Sequence, residues 1–282
     1  TLAQNGEQQR IDRIEAQIPD SLPPAIDSST SYENEVAPGE LLYITPNDDF
    51  YRIDTALSFP NVNLDTWKLR IHGMVDNDLE LSYQDILDMP QVERTITICC
   101  VSNDIGGPYI GNAVWQGVFL KDLLERAGVS SEAEQVFSRS LDGWTCGFPL
   151  DVALDGRDAM LAIGMNGEPL PLEHGFPARL IVPGIYGYVS ATKWLKEIEI
   201  NNFLARVQGV YGISRVGQIE YFGNDVRVQV ISSEQSRTLD AQRIIHEIRD
   251  LPVPQGTLIG GAAADFTDSQ DGIARTLLWA LG

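Results

Sequence analysis

Cysteine and histidine are scarce in this sequence. Its 282 residues include three cysteines (Cys99, Cys100 and Cys146) and three histidines. Three cysteines cannot form a paired disulfide framework, so at least one thiol stays free. No second Cys or His stands at the spacing of a tetrahedral zinc site. A disulfide-stapled domain is therefore excluded, and a zinc domain is disfavoured.

Basic residues are also few: 20 Lys and Arg stand against 40 Asp and Glu, for a formal charge of −20. Nucleic acid and anionic membranes attract clustered Lys and Arg, so this balance argues against both as partners. No apolar run approaches the roughly 18 residues of a membrane span. Walker-type and GxGxxG loops are missing, and so is the CxxCH haem motif, which disfavours nucleotide and haem binding.

The composition is globular, with 43% hydrophobic and 21% charged residues. Strand patterns cover residues 66–75, 79–83, 94–101, 135–140, 144–148, 178–182 and 193–200, and helix patterns cover 83–88, 119–127 and 150–153. Ser82 is the expected N-cap of the first helix, and Gly128 is placed to end the second. We expect an α+β fold built on a curved, largely antiparallel sheet.

The chain divides by character into three parts. Residues 1–40 are polar, with a helical stretch near residues 11–18, and should wrap the main domain of residues 41–200. After residue 200 the pattern changes to a strand at 226–231, a helix at 239–251, a strand at 257–260 and a helix at 268–281. We predict a separate, small ferredoxin-like β-α-β-α module over residues 201–282.

Cys100 is the first candidate for chemistry. It ends a buried strand and is followed by a glycine-containing turn, so its thiolate suits a nucleophile or a soft-metal ligand. The alternative is that Cys99 and Cys100 are small core residues, and adjacent strand residues face opposite sides, so at most one of them serves a given site. A nucleophile would need a base, and His174 is the candidate for a Cys–His dyad.

A second candidate is the loop of residues 184–193, which combines glycines and hydroxyls with Lys193. Such a loop can present N–H and O–H groups to a phosphate, although an ordinary Gly- and Ser-rich turn has the same composition. Arg52, Arg179 and Lys193 are basic residues in otherwise neutral, turn-rich segments of an acidic chain. A small anionic cofactor bound by all three would explain that pattern.

Five segments in order carry a specific resemblance: 45–55 (TPNDDFYRIDT), 98–107 (ICCVSNDIGG), 115–124 (WQGVFLKDLL), 138–147 (SRSLDGWTCG) and 174–194 (HGFPARLIVPGIYGYVSATKW). Residues 41–200 resemble the molybdopterin-binding domain of the sulfite oxidase family, in its membrane-associated bacterial branch. The resemblance implies the sulfite oxidase-type fold and a molybdenum-molybdopterin cofactor. It also implies oxygen-atom transfer at molybdenum, which cycles between Mo(VI) and Mo(IV).

The same resemblance assigns roles to residues. Cys100 matches the Cys of the family's Cys-x-x-Asn turn and would be the molybdenum ligand, rather than Cys99. Two residues would line the substrate side, namely Asp142 and Trp144. The pterin and its phosphate would be held by residues of three of these segments: Asp48, Tyr51, Arg52, Ser140, His174, Arg179, Ser190, Thr192 and Lys193.

Two departures from the family pattern matter. Animal-type enzymes carry an Arg soon after the ligand Cys, whereas this chain has Asn103, Asp104 and Ile105, so sulfite is not the expected substrate. Without a haem motif, electrons must pass to a separate partner, expected in the membrane. Residues 203–282 resemble a periplasmic porter subdomain of RND-type lipid exporters, which implies an extracytoplasmic, membrane-associated protein. The alternative is a cofactor-free scaffold that assembles with a membrane transporter.

Overall fold

The computed structural model describes residues 2–28, 43–54, 58–222, 225–251 and 259–280. The chain forms two compact units, residues 1–201 and residues 202–282. Each unit has its own hydrophobic core.

The first unit is a mixed α/β structure. Its described strands are β1 (Asp27–Ser28), β2 (Lys68–Gly73), β3 (Leu79–Ser82), β4 (Val92–Cys99), β5 (Ile110–Phe119), β6 (Gln135–Ser140), β7 (Thr145–Pro149), β8 (Met160–Met165), β9 (Glu168–Pro169), β10 (Arg179–Ile181) and β11 (Leu195–Asn201). Its described helices are α1 (Leu2–Glu15), α2 (Tyr83–Leu87), α3 (Leu120–Ala127), α4 (Leu150–Leu154) and α5 (Gly187–Ser190), with single 3₁₀ turns at Asn47–Asp49 and Leu172–His174.

These strands form two sheets. The first has the order β1-β4-β5-β8-β10 with β9 beside β8, and the second has the order β3-β2-β11-β6-β7. Pairing is antiparallel except for β1 with β4 and β11 with β2, which are parallel. The expected α+β class with largely antiparallel sheets is confirmed, and each strand predicted for the first unit is found within a few residues of its expected limits.

Two central strands, β5 and β8, are missing from the sequence expectations. Every residue of β8 is buried, so its sequence is a continuous apolar run without alternation. Strand β5 carries glycines at positions 111 and 117 and an asparagine at 112, which read as turn residues. Gly117 is needed because a Cβ there would lie 2.0 Å from the Leu161 carbonyl oxygen of β8. Because the two strands are buried and closely packed, neither has the alternating apolar and polar pattern from which a strand is predicted.

The sequence predicts the start of α2 and the end of α3 more directly than it predicts strands β5 and β8. Ser82 caps α2, and its side chain and that of Asp85 form the reciprocal hydrogen bonds of a capping box, as the expected N-cap predicts. Helix α3 ends at Gly128 in the left-handed conformation, with its apolar face buried. Both expectations are confirmed.

The N-terminal segment contacts the first unit. Helix α1 is longer than the expected stretch at residues 11–18, and it ends at Glu15. Ile14 is buried in the first core, and the side chain of Gln17 accepts a hydrogen bond from the backbone N–H of Leu64. Residues 29–40, the second part of the expected lead-in of residues 1–40, lie outside the described residues.

The second unit contains α6 (Phe203–Gly209), a hairpin of β12 (Ile213–Phe222) and β13 (Asp225–Ser232), α7 (Leu239–Asp250) and α8 (Ala262–Ala280). The predicted strand at 226–231 and helix at 239–251 are present, but β12 precedes them, so the described order differs from β-α-β-α. The expected strand at 257–260 is not found at residues 259 and 260, and residues 257 and 258 fall outside the described part. The ferredoxin-like fold therefore stays a prediction. In the ranges described, no helix combines the length and apolar content that crossing a bilayer requires.

Replacing Gly117 by alanine tests the close packing of β5 on β8. Because the added Cβ collides with the Leu161 backbone, Gly117→Ala should lower the free energy of unfolding by about 1–3 kcal/mol. Gly6→Ala in α1 is the control, since a Cβ there meets nothing within 4 Å and should stabilise the helix by up to about 1 kcal/mol. Urea denaturation measures both, and equal effects of the two substitutions would contradict the packing argument.

Candidate cofactor site

The loop after β4 holds Cys100 in a fixed place. The Cys100 backbone N–H donates to the Tyr109 carbonyl oxygen at 2.9 Å, and its own carbonyl accepts from Asn103 N–H at 3.1 Å. The Asn103 side-chain oxygen accepts from the Tyr109 N–H at 2.7 Å and closes the loop. Gly107 lies so close to this oxygen that a Cβ would be 2.8 Å away. Asn103 is thus the residue that shapes the Cys-x-x-Asn turn.

The two adjacent cysteines have different surroundings. Cys100 is buried, with 8% of its surface exposed, and its sulfur lies 3.2 Å from the Ser102 hydroxyl. Cys99 is less buried, and its sulfur lies 3.4 Å from the Cys100 carbonyl oxygen. All three cysteine thiols are free.

His174 is buried and held by the first motif. Its Nε2 lies 2.8 Å from the Asn47 carbonyl oxygen, and its ring packs edge-on against Phe50 at 5.7 Å between centroids. A carbonyl only accepts, so Nε2 carries the proton and Nδ1 is an acceptor. Burial lowers the pKa of His174, which favours the neutral ring. Between these two described residues no hydrogen bond joins Cys100 to His174, so the Cys–His dyad expected as an alternative gains no support.

Arg179 on β10 is the most deeply buried charge in the site. Its two terminal nitrogens donate to the carbonyl oxygens of His174 at 2.9 Å and Ala191 at 3.4 Å, and the guanidinium lies over the Trp115 ring at 4.9 Å. The Nε atom is buried and has no hydrogen-bond partner among the residues that the structure describes. Burial lowers the pKa of Arg179 to about 10. No described carboxylate forms an ion pair with this guanidinium, which leaves a cation that an anionic ligand would complement.

Tyr51 connects Arg179 with the cysteine loop. Its ring stacks on Phe50 at 5.3 Å and contacts Tyr109 edge-on at 6.5 Å. Burial raises the pKa of Tyr51 to about 12, Arg179 opposes the rise, and Cys100 adds to it. Tyr51 therefore keeps its hydroxyl proton at neutral pH and can donate a hydrogen bond.

Lys193 and Arg52 meet on one carboxylate, Asp54. The ammonium of Lys193 and the guanidinium of Arg52 both form ion pairs with Asp54, whose side chain is only 7% exposed. Lys193 also donates to the Glu173 carbonyl oxygen at 3.0 Å. Burial lowers the pKa of Arg179, and the charge of Asp54 offsets part of that effect. Burial also lowers the pKa of Lys193 to about 8. Two of the predicted basic residues thus contact one acidic residue, Asp54, which was not predicted as a site residue.

Buried hydroxyl and thiol groups anchor the segment that carries Lys193. The Thr192 hydroxyl lies 2.7 Å from the Ser138 hydroxyl and 3.0 Å from the Cys146 sulfur. Ser190 is buried and donates to the Tyr186 carbonyl oxygen at 2.9 Å. The hydroxyls of Ser190 and Thr192 are therefore engaged within the protein and position the loop. Cys146, expected to be structural, lies in this cluster.

The turn after β6 forms another side of the site. The Ser140 hydroxyl accepts from Asp142 N–H at 3.3 Å, and the Asp142 carboxylate accepts from Trp144 N–H at 3.0 Å. Trp144 packs edge-on against Tyr188 of α5 at 5.3 Å. Gly187, in the same helix, allows the Tyr51 hydroxyl to approach, because a Cβ there would lie 3.2 Å from it. Asp142 and Trp144 are thus linked through α5 to Tyr51.

Asp48 is the predicted site residue that stands apart. It lies exposed in the 3₁₀ turn Asn47–Asp49, and within the described residues no contact joins it to the buried groups. Its neighbour Asn47 reaches His174 instead, through the backbone carbonyl. Sequence reasoning missed the roles of Asn47, Asp54 and Asn103, although all three lie inside the motifs. For Asp54 a signal existed: residues two apart in an extended segment share a side, so Asp54 could pair with Arg52.

The arrangement fits an anionic organic cofactor with a metal. The site combines a buried thiol, a buried guanidinium without a described carboxylate partner, a partly buried hydroxyl donor in Tyr51 and an imidazole acceptor in His174. Tyr51 lies close enough to Arg179 and Cys100 for their charges to act on its pKa. These donors suit a pterin that carries a phosphate and that supplies its metal with most of its ligands. The fold and site thus define a cofactor-dependent oxidoreductase domain of the molybdopterin class.

Comparison with known proteins identifies the family. The profile of the oxidoreductase molybdopterin-binding domain matches residues 56–206, which is more than half of the chain. An uncharacterized oxidoreductase of Bacillus subtilis (strain 168), YuiH, is 42% identical over 133 residues, 47% of this chain and 64% of that protein. Human mitochondrial sulfite oxidase is 35% identical over 195 residues, 59% of this chain and 35% of that protein. The crystal structure of the sulfane dehydrogenase SoxCD from Paracoccus pantotrophus is 31% identical, with a TM-score of 0.46 over 50% of this chain and 39% of that chain.

The chain belongs to the oxidoreductase molybdopterin-binding domain family, and its cofactor is molybdenum-molybdopterin. The expected relationship to sulfite oxidases is confirmed. The chain spans less than two thirds of the length of these curated relatives. The resemblance of residues 203–282 to an RND porter subdomain stays a prediction.

The pKa of Lys193 predicts how stability depends on pH in the cofactor-free chain. Burial lowers this pKa to about 8 in the folded state, against about 10.4 in an unfolded chain. Between these values the unfolded chain binds more protons than the folded chain, so this residue makes the free energy of unfolding rise with pH. Lys193→Met should remove that rise, as measured by urea denaturation from pH 7 to 10.5, with the exposed Lys196→Met as the control. Parallel profiles for wild type and Lys193→Met would contradict the assignment.

Proposed function

We propose that residues 1–201 form the catalytic unit of a molybdenum-dependent oxidoreductase in which Cys100 ligates the metal. In this proposal electrons leave through a separate partner protein. The observation that carries it is the buried Arg179, which has an unpartnered Nε and no carboxylate partner among the described residues. Burying an unpaired cation is costly, so such a group is retained where a ligand supplies the missing charge.

Cys100 is proposed as the protein ligand because of its place and burial. Its backbone is fixed by Tyr109 and Asn103, which gives the sulfur a defined direction. The Ser102 hydroxyl lies 3.2 Å from the sulfur and can donate to a thiolate. A thiolate is a suitable soft ligand for a metal already held by the sulfurs of a pterin dithiolene. Cys99 is less suitable, because its sulfur contacts the backbone carbonyl of Cys100.

The remaining groups bind and orient the cofactor in this proposal. Arg179, Lys193 and Arg52 supply positive charge for its phosphate, and the protonated Tyr51 hydroxyl donates a hydrogen bond. The Nδ1 atom of His174 would accept a hydrogen bond from a pterin N–H. When bound, the cofactor would supply oxygen-atom transfer chemistry and would accept two electrons from the substrate, which then pass to the partner protein. The turn of Asp142 and Trp144 lines the substrate side.

The proposed substrate is not sulfite. The loop after Cys100 presents Asp104 and Ile105 to solvent, and both are exposed. An acidic side chain in the loop that carries the proposed metal ligand repels an anionic substrate and offers it no ion pair. We propose a substrate without net negative charge. An extracytoplasmic location and a membrane-bound electron acceptor are further proposals, which rest on the resemblance of the sequence to the membrane-associated branch.

One observation favours the alternative of a cofactor-free scaffold: Asp54 already binds Lys193 and Arg52, as a protein side chain that fills part of a pterin pocket would. Arg179 argues against it, because no described side chain neutralises this residue. The scaffold alternative would leave the most costly buried charge unexplained.

Molybdenum content tests the proposed function. We expect the full chain, produced in a host that makes the cofactor, to carry molybdenum at close to one equivalent by elemental analysis. Cys100→Ser should reduce the retained metal by at least about tenfold, because a ligand is lost. Its free energy of unfolding without cofactor should change by no more than about 1 kcal/mol, because the substitution is conservative and Cys100, although buried, lies outside the main core cluster.

Cys99→Ser is the matched control, since it removes the neighbouring thiol. It should keep the wild-type molybdenum content. Folded wild-type protein with less than a tenth of an equivalent of molybdenum would reject the proposed function and favour the scaffold. Equal retention by Cys100→Ser and Cys99→Ser would reject only the ligand assignment.

A further inference from the structure

We propose that Asp54 is a built-in competitor for the phosphate end of the cofactor. In the cofactor-free chain its carboxylate holds Lys193 and Arg52, and an incoming phosphate monoester displaces it from these two cations. This inference rests on the proposed function for the identity of the cofactor. It goes beyond that function by assigning a role to an acidic residue within a cation site.

Asp54 contacts two of the basic groups of the site. Its two carboxylate oxygens divide between the cations, with Oδ1 on Lys193 and Oδ2 on Arg52. Its side chain is 7% exposed, so these ion pairs are shielded from water more than surface pairs are. Its charge also acts on Arg179, where it offsets part of the burial effect that lowers the pKa. Asp54 therefore neutralises part of the positive charge of the site, as a bound anion would.

The basic groups of the site carry more positive charge than Asp54 neutralises, so a dianion can still bind. Arg52, Lys193 and Arg179 carry three positive charges, and Asp54 supplies one negative charge, so the cluster retains an excess of positive charge. A phosphate monoester carries about −1.5 to −2 charges at pH 7 and three strong acceptor oxygens. A single carboxylate has less charge and fewer acceptors, so phosphate is the stronger ligand for the same cations.

The cations can change partner without losing their positions. Lys193 keeps a second hydrogen bond to the Glu173 carbonyl oxygen, and its ammonium lies 4.6 Å from the centre of the Trp194 ring. Arg52 lies over the Phe59 ring at 4.4 Å, and 44% of its side chain is exposed, so a ligand can reach it. These contacts do not involve Asp54. When the carboxylate leaves, the two cations stay in place for the phosphate.

Because the Asp54 carboxylate competes for the same cations, an anion binds only if its own interaction with them is strong enough to displace Asp54. Monoanions such as chloride or acetate gain too little from the site to displace Asp54, whereas a dianionic phosphate gains enough. The cost is a weaker affinity for phosphate than the bare cations would have. Removing the charge of Asp54 should therefore strengthen anion binding, which is the opposite of what removing a structural ion pair would do.

Phosphate titration of the cofactor-free chain tests this inference. The full chain, produced in a host that cannot make the cofactor, is titrated with inorganic phosphate by calorimetry at constant ionic strength. We expect Asp54→Asn to bind phosphate about tenfold more tightly than wild type, a difference of about 1.4 kcal/mol. We also expect acetate to bind the variant detectably and the wild type not at all. Without phosphate the variant should melt below wild type, and phosphate should restore its stability.

Glu197→Gln is the matched control, because Glu197 is also a partly buried carboxylate between two basic groups, His72 at 2.6 Å and Arg139 at 3.6 Å. It should leave phosphate affinity unchanged. Asp54→Ser is a second variant without the charge and should shift affinity in the same direction as Asp54→Asn.

Phosphate affinity that is equal or weaker in both Asp54 variants would overturn the inference, and so would unfolding of both variants that phosphate does not reverse. The proposed function is judged separately, by molybdenum content. If molybdenum is missing while Asp54→Asn binds phosphate more tightly, the proposed function fails and the competition stands. If molybdenum is fully present while phosphate affinity is unchanged, the competition fails and the proposed function stands.

Discussion

The site depends on one costly feature, a buried guanidinium for which the described part of the chain offers no carboxylate partner. Arg179 is 6% exposed, lies over Trp115 and donates to the backbone carbonyl oxygens of His174 and Ala191. A buried cation of this kind destabilises the isolated fold, since carbonyl dipoles replace its hydration only in part. The surrounding strands must therefore be rigid enough to keep it buried. The continuous core of β5, β8 and β10 provides that rigidity, and Trp115 and Leu161 are fully buried within it.

The two sheets contribute different parts of the site. The first sheet supplies Cys100 at the end of β4 and Arg179 on β10. The second sheet supplies the turn of Ser140, Asp142 and Trp144 after β6. The segment between β10 and β11 joins the two, because Thr192 bonds to Ser138 and Cys146 of the second sheet while Lys193 bonds to Asp54. One segment thus couples the proposed anion-binding groups to the turn proposed to line the substrate side.

Local signals made much of the fold predictable from the sequence. The Ser82 cap, the Gly128 helix end and strand β6 follow from capping, left-handed glycine and alternation, which act over a few residues. Strands β5 and β8 were not predictable in this way, because burial on both faces removes alternation and close strand contact requires glycine at position 117. Hairpin partner β12 was also missed, so the second unit was assigned an order that its described residues do not have.

Part of the site was predictable from residue types and from the motifs that carry the resemblance. Cys100, Arg179, Lys193 and Tyr51 were named from residue type and resemblance, and the structure gives their burial and partners. Asp48 was named in the same way but lies exposed, while its neighbour Asn47 makes the contact with His174 through a backbone carbonyl that no side-chain motif encodes. The bridging role of Asp54 depends on a contact with Lys193, which lies 139 positions further along the chain. Such long-range pairing is set by the tertiary fold, not by local pattern.

The central claim is that Cys100 contributes a sulfur to the molybdenum of the bound cofactor. X-ray absorption at the molybdenum edge counts the sulfur neighbours of the metal directly. The account predicts that wild-type protein shows one more sulfur neighbour than Cys100→Ser, measured on the fraction of that variant that retains the cofactor. The same number of sulfur neighbours in both proteins would contradict it.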